Sequence, residues 1–460
     1  MRGSRRSGAR RTSGDTTNSA LVILGAAGDL ATSRIIPAVQ ALKDGGHLPP
    51  RFLTLGVDRR APVGRALPPD YHFIRGDLES QTTYSAVSRT LYSMSAGREL
   101  SAMFYLATGP ELFTEIVRRL KREGLNLPKD GRRKVLVEKP FGVDLKSAVD
   151  LEHALQPAFA RRDIFRVDHF LSKEGTDGIL RARSENPELA RLWNAENIEQ
   201  VQIMADENFG VGVRGRFYDS VGVVRDMVQN HLLQIICLVA MEPPTSFDAV
   251  GLARAKAQVL RAVRVPRAQE VVWGQYSWYE HTAGVGSGTR TPTFVALKLA
   301  IDTPRWRGVP FYLRTGKALA RTLTEVVVVF RPSPEWRGRA EGRTCVRFCI
   351  DPVARTVVEG GRGVVRGRIS PLRTGTSQLN SGIDEYGRLL LDAINGDQTH
   401  FVDPGFNPLA WRLFGPMLRD WERSSLQRPV TYGKGSWGPS ASDALLSNDR
   451  SYWRDGRSRD

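Results

Sequence analysis

The sequence predicts an N-terminal doubly wound α/β domain with a parallel sheet, followed by an α+β domain with a large, mainly antiparallel sheet and packed helices. Three observations carry this. Strand and helix patterns alternate from residue 20 to about 165, a glycine-rich turn joins the first strand to the first helix, and beyond about residue 200 strand-like runs follow one another with few helices between. The first strand is "ALVILG", residues 20–25, a continuous apolar run of the kind buried on both faces of a parallel sheet. In the helix that follows, Ile35, Ile36, Val39 and Leu42 fall at helical spacing, Gly45 and Gly46 stop it, and Pro37 places its start or a kink. "RFLTLGVDRR", "SAMFYLA" and "RKVLVEKPFG" are further short strands, with "ELFTEIVRRLKREG" a helix between the last two. In the second half "ENIEQVQIMADE", "TFVALKLAID", "VPFYLRTG", "TEVVVVFRP" and "TCVRFCIDP" are strands, while "VGVVRDMVQNHLLQIICLVAME" and "DEYGRLLLDAINGD" are helices.

These patterns divide the chain into an Arg-rich tail at 1–18, a dinucleotide-binding Rossmann-like domain at 19–165, a substrate-binding and oligomerisation domain at 166–446, and a loose C-terminal tail at 447–460. With 460 residues, 41% hydrophobic and 25% charged, the composition is that of an ordinary globular protein. No run of about 18 uninterrupted apolar residues occurs, so no membrane span is expected. The first twenty residues hold five arginines and no apolar run, which excludes a secretory signal. Arginine is scattered along the chain, so the net charge of +17 is compatible with phosphate-bearing ligands without requiring a polyanion. No specific nucleic-acid partner is expected. Cys237, Cys345 and Cys349 are odd in number and lack CxxC spacing, which fits a reducing, cytoplasmic compartment and no metal site.

"GAAGDLA", Gly25 to Ala31, is a G-x-x-G-x-x-A turn between strand and helix. Gly25 and Gly28 let backbone approach a pyrophosphate, Ala31 lets the helix pack closely, and the helix N-terminus faces the anion. At the end of the second strand Asp58 could bond a ribose 2′-hydroxyl, favouring NAD, while Arg59 could pair with a 2′-phosphate, favouring NADP. NADP is expected, with NAD tolerated.

"RVDHFLSKE", residues 166–174, crowds four charged side chains around one histidine, and "RDMVQNHLLQIICLVAME" puts His231 at the polar start of a buried helix. Either could be a solvated stretch or a core histidine. Together they allow Asp168 to hold His231, fixing the tautomer and leaving one ring nitrogen to take a proton, a general-base device without a nucleophile.

The chain resembles the glucose-6-phosphate dehydrogenase family from about residue 20 to about 446. "GAAGDLA", "VEKPFG", "RVDHFLSKE", "RDMVQNHLLQIICLVAME", "VPFYLRTGKAL", "LLLDAINGDQTHF", "AWRLFGP" and "YGKGSWGP" carry the resemblance, in that order. It implies oxidation of D-glucose 6-phosphate to the 6-phosphogluconolactone at the head of the oxidative pentose phosphate route, in a homodimer or homotetramer. It implies His231 as base and Asp168 as its orienting partner. His169 and Lys173 would hold the 6-phosphate, Glu207 and Asp226 the sugar hydroxyls. Lys139, with a cis bond to Pro140, would touch both substrate and cofactor, and Lys317 would approach the substrate. Gly25, Ala26, Ala27, Gly28, Asp29, Leu30, Ala31 and Thr32 would line the cofactor turn, with Arg59, Asp77 and Leu78 on its adenine and ribose side.

Departures from the family pattern are equally specific. Phe170 stands where tyrosine is usual, Thr322 where arginine or lysine is common, with Arg321 beside it. Cys349 and Asp351 replace residues that in some members help bind a second, structural NADP. Two other classes compete with the enzyme: a basic nucleic-acid-binding protein, for which no reading motif appears, and an inactive scaffold, disfavoured because Asp168 and His231 are both present.

Overall fold

The computed structural model describes residues 18–456, apart from 64–66, 69, 96, 128–130, 333–343, 360–382, 425–426, 448 and 450. The Arg-rich stretch at 1–17 lies outside the described residues. The chain forms two compact units: the part up to Val137 together with Ala154–Phe165, and Glu138–His153 together with the part from Arg166 onward. The expected single boundary near 165 is thus corrected. Glu138–His153, which carries Lys139, belongs to the second unit although it lies inside the first in sequence.

In the first unit, strands β1 (Asn18–Leu24), β2 (Phe52–Asp58), β3 (Tyr71–Arg75), β4 (Leu100–Leu106), β5 (Arg133–Val137) and β6 (Ile164–Arg166) form one sheet. Its order is β3-β2-β1-β4-β5-β6, and the pairs β1–β2, β1–β4, β2–β3 and β4–β5 are parallel. Leu21 to Leu24 and Phe104 are wholly buried, the burial on both faces that their unbroken apolar run predicts. The order reverses between β1 and β4, the place where such sheets hold ligands at the carboxyl ends of their strands. Helix Phe113–Arg122 buries Phe113, Ile116, Val117 and Leu120, one stripe at three- and four-residue spacing. After the first turn the backbone runs as a π-turn, Ala31–Ile35, before helix Ile36–Asp44 with Pro37 in its opening positions, where the missing N–H does least harm.

In the second unit, nine strands make one sheet: β7 (Ile198–Asp206), β8 (Val263–Arg264), β9 (Val271–Tyr276), β10 (Phe294–Ile301), β11 (Pro310–Gly316), β12 (Leu323–Phe330), β13 (Cys345–Asp351), β14 (Arg355–Glu359) and β15 (Val430–Tyr432). The order is β14-β13-β12-β7-β11-β10-β9-β15, with β8 pairing β10, and only β7–β11 and β9–β15 are parallel. Helical residues run from Gly212 to Ala240, a stretch apolar and long enough to cross a membrane, yet 89% of its apolar window is buried in the protein. Its hydrophobicity is that of a core element. All three cysteines are free and buried, with Cys345 and Cys349 both on β13.

The expectation of a loose C-terminal tail is also corrected, because Ser451–Asp455 is packed on the large sheet. Trp453 is 1% exposed and its indole N–H donates to the Ser442 carbonyl at 3.2 Å. The Asp455 carboxylate accepts from Arg314 Nη1 at 2.7 Å, and Gln202 Nε2 donates to the Tyr452 carbonyl at 2.8 Å. Arg314 on β11 is wholly buried and pairs with Asp206 on β7 as well, so the tail is held by the carboxylate it brings to a buried guanidinium.

Candidate functional site

Asp168 caps the short 3-10 helix His169–Ser172, its Oδ1 accepting from the Phe170 N–H at 3.0 Å. The same oxygen lies 2.5 Å from Nδ1 of His231, and both side chains are buried. His231 sits on a π-helical stretch, Val224–Leu232, whose five-residue bonding pattern carries Asp226 and His231 on the same side. Burial raises the Asp168 pKa, but His231, His169 and Lys139 together lower it more, leaving the carboxyl down at about 2. Burial lowers the His231 pKa, against the upward pull of Asp168. The pair is therefore an ionised carboxylate and a neutral imidazole near neutral pH. A carboxylate only accepts, so Nδ1 carries the hydrogen and Nε2 the lone pair. Among the described residues Nε2 is buried and has no hydrogen-bond partner, and the same holds for Asp168 Oδ2. An imidazole so held can accept a proton at Nε2 and have its new charge balanced by Asp168.

A row of alternating charge adjoins this pair. Lys139 Nζ donates to the Asp226 carbonyl at 3.0 Å and lies 3.3 Å from its carboxylate. Lys317 Nζ is 3.3 Å from the other Asp226 oxygen and 2.5 Å from Glu207. Burial raises the Asp226 pKa, but Lys139 and Lys317 hold it far below the usual carboxylate range. Burial likewise opposes the charge on Lys317, and Asp226 and Glu207 raise its pKa on balance. The turn after β11 that presents Lys317 contains Ala318 at φ +53°, a left-handed conformation rare for alanine. The Lys139–Pro140 bond is cis. Asp168, His169, Lys139, Glu207, Asp226, Lys317 and His231, read from five separate segments, thus converge in the second unit.

Sequence reasoning missed the apolar side of this site. The Phe170 ring stacks on His231 with centroids 4.1 Å apart, and His169 meets it edge-on at 4.8 Å. Phe209 and Tyr218 flank Lys317 Nζ at 5.6 and 5.4 Å from their ring centroids. The sequence points to His169 and Phe170 but not to their packing on His231, nor to Phe209 and Tyr218, because the partners lie far along the chain. Asp168, His169 and His231 place ligand-type atoms within 4.8 Å of one another, but Asp168 Oδ1 and His231 Nδ1 are engaged with each other.

Arg321, Thr322 and Lys173 each have a protein partner. Arg321 turns to the Asp455 carbonyl and the Trp437 ring, and Thr322 bonds Asn208 at 2.8 Å, closing the loop after β7. Lys173 lies 3.2 Å from Asp351, a residue the sequence tied to a second cofactor site.

In the first unit Gly25 has φ +95°, and a Cβ there would stand 2.8 Å from the Ala107 carbonyl oxygen, so the turn accepts only glycine. The turn is also fastened from below: Asp58 Oδ2 accepts from the Ala27 N–H at 3.0 Å and Oδ1 from the Arg59 N–H at 2.7 Å. Asp58 is thereby committed to backbone, and Arg59, with its side chain 65% exposed, donates to Asp77 at 3.3 Å and lies 3.7 Å from Glu79. Leu78 is buried and its carbonyl accepts from Tyr84. The glycine cradle and the exposed guanidinium fit a dinucleotide carrying a 2′-phosphate.

The family model of the glucose-6-phosphate dehydrogenase NAD-binding domain matches residues 22–67 and 62–177, and that of the glucose-6-phosphate dehydrogenase C-terminal domain matches 180–454. The chain belongs to the glucose-6-phosphate dehydrogenase family. It is 36% identical to the glucose-6-phosphate 1-dehydrogenase of Mycolicibacterium smegmatis over 95% of this chain and 97% of that one. It is 32% identical to the Chlamydia pneumoniae enzyme of the same name, over 94% and 95%. Among solved structures, a glucose-6-phosphate dehydrogenase in complex with its substrate glucose-6-phosphate superposes with TM-score 0.84 at 27% identity, covering 95% of this chain and 99% of that one. The Mycobacterium avium glucose-6-phosphate 1-dehydrogenase superposes with TM-score 0.78 at 31% identity, over 96% and 100%.

Proposed function

We propose that this protein oxidises D-glucose 6-phosphate to 6-phospho-D-glucono-1,5-lactone, the opening step of the oxidative pentose phosphate route. The observation that carries the mechanism is the buried Asp168–His231 pair with Nε2 aimed away from its carboxylate. His231 Nε2 takes the proton of the C1 hydroxyl, and Asp168 keeps the tautomer and balances the imidazolium that forms. NADP, held by Gly25 to Thr32 with Arg59, Asp77 and Leu78 on its adenine and ribose side, supplies the hydride acceptor. Lys139, Asp226, Lys317 and Glu207 bond the sugar hydroxyls, and their mutual ion pairs set each side chain's direction before substrate arrives. His169 and Lys173 receive the 6-phosphate. Family membership and the nine-stranded sheet support a homodimer or homotetramer, which light scattering tests, and three free thiols support a cytoplasmic setting.

Initial rates of nicotinamide reduction with glucose 6-phosphate, run with NADP and with NAD, test the reading. Faster reduction of NADP is expected, since Asp58 is engaged with backbone and Arg59 is exposed. No reduction with either cofactor would overturn it.

A further inference from the structure

Asp351 closes β13 and puts Oδ1 3.2 Å from Lys173 Nζ. The two meet because helix Glu174–Glu185 starts against that strand: a Cβ on Gly175 would stand 2.5 Å from Ile350 Cα and 2.6 Å from the Cys349 carbonyl oxygen. With no side chain between them, the helix start and the strand end bring a lysine and an aspartate together. The rest of the segment offers an anion no second full charge. Burial first, then the charges of His231 and Lys139, push the His169 pKa well below its ordinary value, so this imidazole is neutral at pH 7. Phe170 presents a ring, not a hydroxyl, 5.2 Å from the ammonium. Arg388 donates to the Ser172 carbonyl at 3.1 Å.

We propose that Asp351 is a specificity-determining residue that occupies Lys173 in place of a substrate phosphate and so weakens selection of phosphorylated over unphosphorylated sugars. The proposal rests on the reading of Lys173 as a phosphate ligand given above. A phosphate dianion must detach Lys173 from Asp351 and then share the subsite with a like charge. A neutral aldose meets neither cost, so the residue acts on one substrate class and not the other. It is a built-in repulsive element on β13.

Asp351→Asn keeps the shape and removes the charge. KM for glucose 6-phosphate should fall about tenfold, with kcat and the KM for glucose unchanged, the size of one charge a few ångströms away in a partly screened site. Asp351→Gln should act the same way, and thermal unfolding of both variants guards against misfolding. An unchanged or raised KM for glucose 6-phosphate, or an equal shift for both sugars, would overturn the proposal. Lys173→Met should raise KM more in the Asp351→Asn background than in the native one, and equal effects would count against it. Calorimetric titration of inorganic phosphate reads the subsite without turnover. Tighter binding by Asp351→Asn supports the proposal and equal binding sinks it, whatever the dehydrogenase assay gives. Tighter phosphate binding without glucose 6-phosphate turnover would instead overturn the function proposed above.

Discussion

His231 and His400 are both held by aspartate, and they end in opposite charge states. His231 is bonded to one carboxylate, Asp168, its Nε2 has no hydrogen-bond partner among the described residues, and burial leaves it neutral. His400 has two, Asp392 at 2.8 Å from Nδ1 and Asp177 at 3.3 Å from Nε2. Burial lowers its pKa, but the two bonds raise it to about 10. One carboxylate orients an imidazole and leaves it able to take a proton. Two carboxylates keep it protonated and turn it into a clamp, here between helices Glu174–Glu185 and Glu385–Asn395. Full burial beside one acid leaves a base, and partial exposure between two acids leaves a structural cation.

The largest effect should come from breaking the open site. His231→Asn should lower kcat about 10³-fold with little change in KM, because a base acts in the transition state. Near-normal turnover would refute the assignment. Asp168→Asn should cost about 10²-fold, because an amide can donate to Nδ1 and reverse the tautomer. Retained KM with reduced kcat distinguishes this from loss of the fold.

Two smaller effects test the charge states. With its pKa lowered, His231 should keep the acid limb of the kcat/KM profile below the ordinary imidazole value of 6.5, and a limb above 6.5 would contradict the neutral form. His400 keeps its proton in the folded chain to about pH 10, whereas the unfolded chain releases it near 6.5. Its contribution is therefore complete below 6.5 and is lost as pH rises through about 10. His400→Gln should cost about 1–2 kcal/mol at pH 6, between an exposed and a fully buried ion pair. The loss should shrink at pH 10 while turnover stays intact, and denaturant titrations at both pH values read this directly.

Local chemistry was legible in the sequence. The turn at Gly25–Ala31, the strands of unbroken apolar residues and the Asp168–His231 pair all follow from short-range pattern or family motif. Long-range pairings were not. Trp453 and Asp455 read as polar tail because the residue that buries them, Arg314, lies 141 positions earlier. Lys173 and Asp351 meet only because Gly175 lets a helix start touch a strand end. β3, with its burial alternating weakly at the sheet edge, lacks the apolar run that marked β1 and β4.

The excursion of Glu138–His153 has a consequence for synthesis and for dissection of the chain. The first unit can complete its sheet once β6 has been made, since every strand then exists. Lys139 cannot reach its final state at that moment, because Asp226 is 87 residues further along. A nascent chain would therefore hold every strand of the nucleotide sheet while residues 138–153 still lack partners that come later in sequence. Truncation at Val137 removes β6, while truncation after it retains a segment whose packing belongs elsewhere. A fragment that keeps β6 must also keep Glu152, because buried Arg166 on that strand pairs with it at 2.6 and 2.7 Å, so neither simple cut serves.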